Sequence, residues 1–256
     1  MQKTNPVIDC LMNHRSVRKF KPDPIPQETI DTLLRAGVRA ATAGCMQPYA
    51  FVVLDDPEVL KKVSYIPGPL AIVAVVDLYR VKRYYELNDA PFYNDQAVNL
   101  FISYWDATIA LHNVVIAAES LGLGCVYIGM VLSQDLRESL GVPDYVVPAG
   151  LVTLGYPDES PSLAPRLPLE AVVHRNGYHI PSDDDIREWY RVHDEPWRKR
   201  FENEWSEERR QKSIEHGVTN RAQAWTIGHY TPDFIHDQSQ ALLRNLRTAG
   251  FRLEED

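Results

Sequence analysis

A run of cationic and hydroxyl side chains, HRSVR, occupies residues 14–18 of a chain that is otherwise acidic. Arg15 and Arg18 carry planar guanidinium groups, each of which matches an oxyanion with two parallel hydrogen bonds. His14 and Ser16 add further donors, so the set can hold a phosphate group. A solvated basic turn explains the segment equally well by itself, and the phosphate hypothesis therefore depends on the segments that accompany it.

Three further segments suit a flat ligand that carries a phosphate. Residues 42–48, TAGCMQP, form a loop of small residues between a predicted helix and strand. Residues 122–129, GLGCVYIG, surround a predicted strand with glycines that permit close backbone approach. Arg166 lies among prolines that hold the backbone extended. Each segment alone is also explained as a turn, a packing device or a surface residue. None of these segments is a GxGxxG motif, and no acidic residue follows at the spacing typical of dinucleotide-binding folds. The sequence therefore disfavours such a fold.

The composition sets limits on the class of protein. With 256 residues, 45% hydrophobic and 24% charged, the chain can form one domain or one domain with an extension. Its formal charge of -8 argues against sequence-independent nucleic-acid binding, which needs a large basic face.

The three cysteines, Cys10, Cys45 and Cys125, are widely spaced and odd in number. Their spacing predicts neither a disulfide framework nor a zinc site, and we expect no metal. The N-terminus lacks the apolar core of a signal peptide. The most apolar stretch, 107–118, is short for a membrane span and contains His112. We therefore expect a cytoplasmic protein that does not bind membranes.

The hydrophobic pattern predicts an α+β fold. Apolar residues at helical spacing follow Glu28, and a long helix capped by Asn94 or Asp95 runs toward Leu121 with Gly122 at its end. Ser133 is predicted to cap a short helix. Gly141 and Pro143 end it. The predicted strands are 51–54, 71–76, 125–128 and 147–154.

The composition changes after Ser182, where charged residues and spaced aromatic residues predict helices. We therefore predict a core of residues 1–182 and a charged helical extension of residues 183–256, packed on the core or on a partner subunit.

Taken together, HRSVRKF, ATAGCMQPYAFVV, GLGCVYIG, and GYP followed by APRLPLEAVVHRNGY resemble the FMN-dependent nitroreductase family. The last segment and the extension are similar to its NADPH-preferring branch of flavin reductases and oxygen-insensitive nitroreductases. The resemblance covers nearly all of the chain to about residue 180 and continues more weakly through Asn220, Arg221 and Trp225. It implies a mostly antiparallel sheet flanked by helices, and an intertwined homodimer with flavin at the interface.

The resemblance also implies which residues bind FMN. His14, Arg15, Ser16 and Arg18 match the phosphate and ribityl contacts, with Arg18 reaching toward the pyrimidine edge. Thr42 and Gln47 match the loop that contacts flavin, and Gln47 can reach it from the partner subunit. Tyr127, Ile128 and Gly129 match the strand end against the isoalloxazine ring, Arg166 matches a phosphate ligand, and Arg221 matches an NADPH contact.

Three features depart from the family pattern. A lysine usual two positions before Arg166 is replaced by Ala164, which removes one phosphate contact. Gly44 and Cys45 replace residues that offer side-chain hydrogen bonds. No counterpart is evident near residue 65 for a glutamine that touches the flavin edge. These departures leave the acceptor open, and the sequence does not decide between NADPH and NADH.

The predicted chemistry belongs to the cofactor, and no protein side chain is expected to be catalytic. We predict hydride transfer from NAD(P)H through FMN to a nitroaromatic, a quinone or free flavin by a ping-pong mechanism. A specialised flavin enzyme, such as a reductive dehalogenase or a supplier of reduced flavin, and a non-catalytic flavin sensor are the alternatives. Asp106 and Asn113 are expected to bond each other or a neighbouring helix, and His112 to be a hydrogen-bonded core or interface residue.

Overall fold

The computed structural model describes residues 4–134 and 136–253. The chain divides into two compact units, 1–163 together with 239–256, and 164–238. This division differs from the predicted boundary at residue 182. The last apolar residues of the chain belong to the first unit because Leu246 and Phe251 are buried in its core, against Val76 and Leu78.

An antiparallel sheet of four strands lies at the centre of the first unit, in the order β1-β2-β4-β3. The strands are β1 (Tyr49–Leu54), β2 (Leu70–Asp77), β3 (Gly124–Ile128) and β4 (Val146–Gly155). β2 is an inner strand, and all its residues before Asp77 are buried, as expected for an apolar run covered on both faces. The four predicted strands and the antiparallel α+β class are confirmed.

Helices surround this sheet and make up the second unit. The described α-helices are α1 (Pro6–Met12), α2 (Gln27–Gly37), α3 (Pro57–Val63), α4 (Leu78–Glu86), α5 (Ala97–Ser120), α6 (Arg137–Leu140), α7 (Asp183–Asn203), α8 (Glu207–Glu215), α9 (Arg221–Thr226) and α10 (Pro232–Thr248). Short 3-10 helices cover Ala43–Cys45, Gly129–Ser133 and Leu169–Ala171.

α5 is the central helix of the first unit and packs against α2 and the sheet. Leu111, Val114 and Ala118 on its inner side are fully buried. Its opposite side exposes large apolar residues, among them Phe101 and Trp105. By length and composition alone this helix could also cross a membrane, a test that the core helix of a soluble protein passes equally.

Two predicted helix starts are wrong. α5 begins after Gln96, whose side chain makes no capping hydrogen bond. The predicted cap Asp95 instead accepts from Arg252 Nη2 at 2.7 Å. Ser133 ends a 3-10 helix, and α6 begins later, after Leu136. Gly141 does end α6, in the left-handed conformation that glycine adopts without cost (φ 65°).

The second unit is helical, as the charged composition predicts. α7 begins with a capping box in which Ser182 and Asp185 satisfy each other's backbone N–H groups. Trp197 stacks on Phe201 with ring centroids 5.0 Å apart, and Arg209 covers the Trp205 ring at 3.9 Å. The spaced aromatic residues therefore form a cluster within this unit.

Candidate functional site

The basic segment 14–18 lies along the free edge of β3. Val17 N donates to Cys125 O at 2.9 Å, and Ser16 forms a parallel bridge with Cys125. Gly124 permits this approach, because a Cβ atom there would lie 2.8 Å from the Val17 Cβ. Two of the predicted site segments are therefore brought together, and Gly124 acts as a packing device.

Glu159 fixes the backbone at the end of this segment. Its Oε1 atom accepts from Arg18 N at 2.6 Å and from Lys19 N at 3.1 Å. These two bonds lower the pKa of the Glu159 carboxyl, the Arg18 bond having the larger effect. The exposed Arg18 guanidinium makes no hydrogen bond with any described residue, so its donors remain available to a ligand.

Arg15 lines a cavity of about 320 Å³ together with Val17, Glu119 and Gly124. Its Nη1 atom donates to Pro161 O at 3.2 Å, which aims the guanidinium across the cavity. Ser16 and Arg18 are not among the residues that line this cavity. The four predicted phosphate donors thus share one segment, but only Arg15 faces this space.

His14 is held by a residue that the sequence analysis missed. Its Nδ1 atom lies 2.6 Å from Glu119 Oε1, near the C-terminal end of α5, so Nε2 is the ring atom left for a ligand. Glu119 is mostly buried, with 13% of its side chain exposed. A carboxylate in an otherwise apolar helix, as at Asp106 and Glu119, is the sequence signal that could have identified it.

The end of β3 presents one side chain and open backbone. Tyr127 is partly exposed, and its hydroxyl lies 3.1 Å from His112 Nδ1. Burial raises the pKa of Tyr127 above its usual range. The Ile128 side chain is buried in the core, which leaves its backbone to meet a ligand. Among the described residues, apart from Gly129 and its two chain neighbours, no atom lies within 4 Å of the position a Cβ would take at Gly129.

His112 is hydrogen-bonded as predicted, and Asn113 bonds a neighbouring helix, which was one of its two predicted partners. His112 is exposed rather than in the core, and it orients Tyr127. Asn113 does not bond Asp106. Its Nδ2 atom donates to Ala36 O at 3.3 Å, which joins α5 to the end of α2.

Asp106 anchors the loop that contains Thr42 and Gln47. Its Oδ2 atom accepts from Thr42 Oγ1 at 2.6 Å and from Ala43 N at 2.9 Å. Thr42 Oγ1 accepts in turn from Gln47 N at 3.0 Å. The Thr42 hydroxyl is therefore committed to the loop itself, and Asp106, which is 5% exposed, sets the loop's position.

The same loop holds three residues in the left-handed region, Gly44 (φ 57°), Cys45 (φ 56°) and Gln47 (φ 48°). Such conformations cost non-glycine residues about 1–3 kcal/mol each and persist where surrounding bonds impose them. Arg80 Nη2 contributes by donating to Gln47 O at 2.6 Å. The loop is a fixed surface with its backbone exposed.

Within a single chain, the loop of Thr42 and Gln47 and the basic segment 14–18 are held at different places along α5. The loop is anchored at Asp106 and His14 at Glu119, thirteen residues apart on α5, which corresponds to about 20 Å along the helix. The predicted FMN contacts in the first unit thus form two separate surfaces.

Arg166 was predicted to bind phosphate and Arg221 to bind NADPH. In the second unit, both guanidinium groups affect the pKa of His193. The pKa of His193 is lowered by burial and then by Arg221, with a smaller contribution from Arg166. Arg166 is exposed and donates only to the backbone of its own turn. Asp194 opposes the two guanidinium groups by favouring the charged imidazole, and its effect is larger than that of Arg166.

Comparison with known proteins identifies the family. The model of the Nitroreductase family matches residues 11–156, more than half of the chain. The chain belongs to the nitroreductase family. This membership confirms the predicted resemblance, and it makes the protein an oxidoreductase.

Individual members of the nitroreductase family resemble most of the chain. FMN reductase (NADPH) of Bacillus subtilis is 33% identical over 192 residues, covering 70% of this chain and 77% of the relative. The structure of B. megaterium NfrA2 matches with a TM-score of 0.79 at 27% identity, over 98% of this chain and 100% of that one. NADPH:FMN oxidoreductase from Vibrio harveyi complexed with NAD+ matches with a TM-score of 0.75 at 26% identity, over 96% and 99%.

Proposed function

We propose that this protein is an FMN-dependent oxidoreductase that passes reducing equivalents from NAD(P)H to nitroaromatic, quinone or free flavin acceptors. The main support is the basic segment 14–18, which is held along β3 at Cys125, the strand that ends at the open backbone of Gly129. The names of the relatives, an NADPH-dependent FMN reductase and an NADPH:FMN oxidoreductase, support the same cofactor and donor.

The donor set of this segment fits a flavin phosphate. His14 Nε2, the Ser16 hydroxyl and the guanidinium groups of Arg15 and Arg18 retain hydrogen-bonding capacity. Two guanidinium groups neutralise a phosphate dianion, and the main-chain bonds to β3 and Glu159 fix the backbone that carries them before binding. We infer that these four residues bind the phosphate and ribityl chain.

Tyr127 and Gly129 fit the wall of a flat ring. The contact between His112 Nδ1 and the Tyr127 hydroxyl keeps the Tyr127 side chain in place, and the space above Gly129 accepts a planar group. Bound FMN supplies two-electron chemistry at its ring. The residues then have three tasks: to hold the ring, to leave one face accessible to the donor and the acceptor in turn, and to place positive charge from Arg18 near the pyrimidine edge.

We infer that the complete flavin site needs two chains. α5 exposes an apolar stripe, Val98, Phe101, Trp105 and Ile109, at helical spacing. Trp105 is 67% exposed and adjoins Asp106, which anchors the loop of Thr42 and Gln47. Burial of this stripe in a homodimer would bring the loop of one subunit toward the basic segment of its partner, which resolves the separation of about 20 Å within a single chain.

We further propose that Arg221 and Arg166, which both lower the pKa of His193, serve the pyridine nucleotide donor. Arg166 and Arg221 both act on this histidine, and guanidinium groups favour bidentate phosphate contacts. With Ala164 in place of a lysine, fewer cations are available here than in the family pattern, so FMN retention relies on the segment 14–18.

One experiment tests the cofactor and the reaction together. The protein is purified after FMN saturation, its visible spectrum is recorded, and anaerobic reduction by NADPH and by NADH is followed by stopped flow. We expect one flavin per chain and reduction within seconds. Protein that gains no flavin spectrum would refute the proposal, and bound flavin that NAD(P)H does not reduce would indicate the sensor instead. Product analysis with halogenated phenols, nitroaromatics and free flavin then separates the enzyme classes.

A further inference from the structure

Three side chains that the proposed reaction does not use as a group converge at the end of α5. His14 Nδ1, Glu119 Oε1 and Cys125 Sγ lie within 4.8 Å of one another. The Cys125 thiol is 3.5 Å from Glu119 Oε1 and fully buried. Cys10, from α1, lines the cavity beside Glu119. Imidazole, carboxylate and thiolate are the three ligand types of protein zinc sites.

The carboxylate at the centre of this cluster is incompletely satisfied. Glu119 Oε1 meets His14 and Cys125, whereas Oε2 is buried and has no hydrogen-bond partner among the described residues. A buried carboxylate oxygen without a partner costs about 1–3 kcal/mol or more. The oxygen that lacks a partner thus belongs to Glu119, which lies between the other potential ligands.

The electrostatic setting also favours a cation. The Cys125 sulfur lies 3.5 Å from Glu119 Oε1 in a fully buried position, so a cation there would meet a carboxylate and a sulfur away from solvent. A water molecule would satisfy Glu119 Oε2 but would leave the thiols beside the carboxylate. A divalent cation with one carboxylate, one thiolate and a neutral imidazole forms an uncharged group, which suits a buried position.

The geometry requires only small adjustments. Zinc binds nitrogen and oxygen at about 2.0–2.2 Å and sulfur at about 2.3 Å, which places tetrahedral ligands about 3.3–3.8 Å apart. The His14–Glu119 distance of 2.6 Å would widen and the largest separation in the cluster, below 4.8 Å, would shorten. The cavity of about 320 Å³ at Glu119 and Gly124 admits a fourth ligand, either Cys10 Sγ or water.

We propose that His14 Nδ1, Glu119 and Cys125 Sγ form a site for a divalent cation of the zinc class. Cys10 or solvent completes the coordination. Coordination replaces the S–H bond of each participating thiol by a metal–sulfur bond and releases its proton to solvent, without a change of oxidation state. His14 keeps Nε2 directed away from the metal, so the proposal is independent of the flavin and compatible with it.

The test measures zinc retention by the untagged, full-length protein. Metal-stripped protein is dialysed against Zn²⁺, and bound zinc is counted by elemental analysis. We expect one zinc per chain in the wild type and an affinity at least about tenfold lower in Cys125→Ser, which nearly preserves volume. Cys45→Ser is the matched control, since Cys45 is exposed and outside the cluster, and it should retain zinc like the wild type.

X-ray absorption at the zinc edge gives a second readout. A zinc–sulfur shell at about 2.3 Å is expected in the wild type and its loss or halving in Cys125→Ser. Circular dichroism and thermal unfolding establish that each variant is folded, and the flavin spectrum separates this result from the proposed function. Failure of the wild type to retain zinc, equal retention by Cys125→Ser, or coordination by oxygen and nitrogen alone would overturn the proposal.

Discussion

Asp106 gives the sharpest prediction, because one buried carboxylate positions the whole loop that contains Thr42 and Gln47. Asp106→Ala removes two charge-assisted hydrogen bonds, from Thr42 Oγ1 at 2.6 Å and Ala43 N at 2.9 Å. Such bonds contribute about 1.5–3 kcal/mol each. Ala43 is exposed, so water can replace part of its bond, and we expect a loss of about 3 kcal/mol in the free energy of unfolding.

A double-mutant cycle isolates the central bond of this arrangement. Thr42→Val removes the hydroxyl at similar volume, and it also removes the acceptor for Gln47 N, an effect that cancels in the cycle. We expect a coupling of about 1.5 kcal/mol between Asp106 and Thr42. Asp106→Asn retains one acceptor and should cost about 1 kcal/mol.

Urea unfolding followed by circular dichroism measures these differences, with a shift of about 1 M expected for Asp106→Ala at an unchanged slope. Hydrogen exchange at the Ala43 amide gives a local readout. It should accelerate in Asp106→Ala, and not in Asp106→Asn or Thr42→Val, which keep an acceptor oxygen at residue 106. A loss below about 0.5 kcal/mol, or additive effects of Asp106→Ala and Thr42→Val, would refute the anchoring role.

Three further results are expected. Gly124→Ala should lower both the melting temperature and FMN affinity because its Cβ would meet Val17 at 2.8 Å, and Val17→Ala should restore part of both. Arg221→Ala should raise the KM for NADPH at least about tenfold and leave that for NADH nearly unchanged, and an equal effect on both donors would exclude a 2′-phosphate role. The pKa of His193 is lowered in the folded state, so its contribution to stability is present above about pH 6.5 and is lost as the pH falls; His193→Gln should flatten the urea midpoint between about pH 7.5 and 5.5.

The sequence predicted the sheet well because its strands are local apolar runs. The run 71–76 could only be buried on both faces, and it became the inner strand β2. Gly122 and Gly141 ended their helices, since both positions require a left-handed backbone. The start of α5 was predicted less well because Asp95 found a distant partner, Arg252, and no local pattern shows such a competition.

The sequence predicted which segments form the candidate site, but it did not predict which residues hold those segments in place. The pairing of residues 16 and 17 with β3 depends on an edge left free by strand order. The anchors Asp106 and Glu119 were recognisable only as carboxylates in an apolar helix, and their partners Thr42 and His14 lie 64 and 105 residues away. The cysteine spacing likewise argued against a metal, although the fold gathers Cys125 with His14 and Glu119.

The division of the chain has a consequence for its biosynthesis. The first unit is interrupted by the second, and residues after 239 supply Leu246 and Phe251 to its core. A ribosome therefore makes the sheet and α5 long before the side chains that close one end of this core. The nascent first unit must wait, with Val76 and Leu78 uncovered, until the whole helical insert has emerged. This end of the core is therefore completed only after the helical insert has been translated.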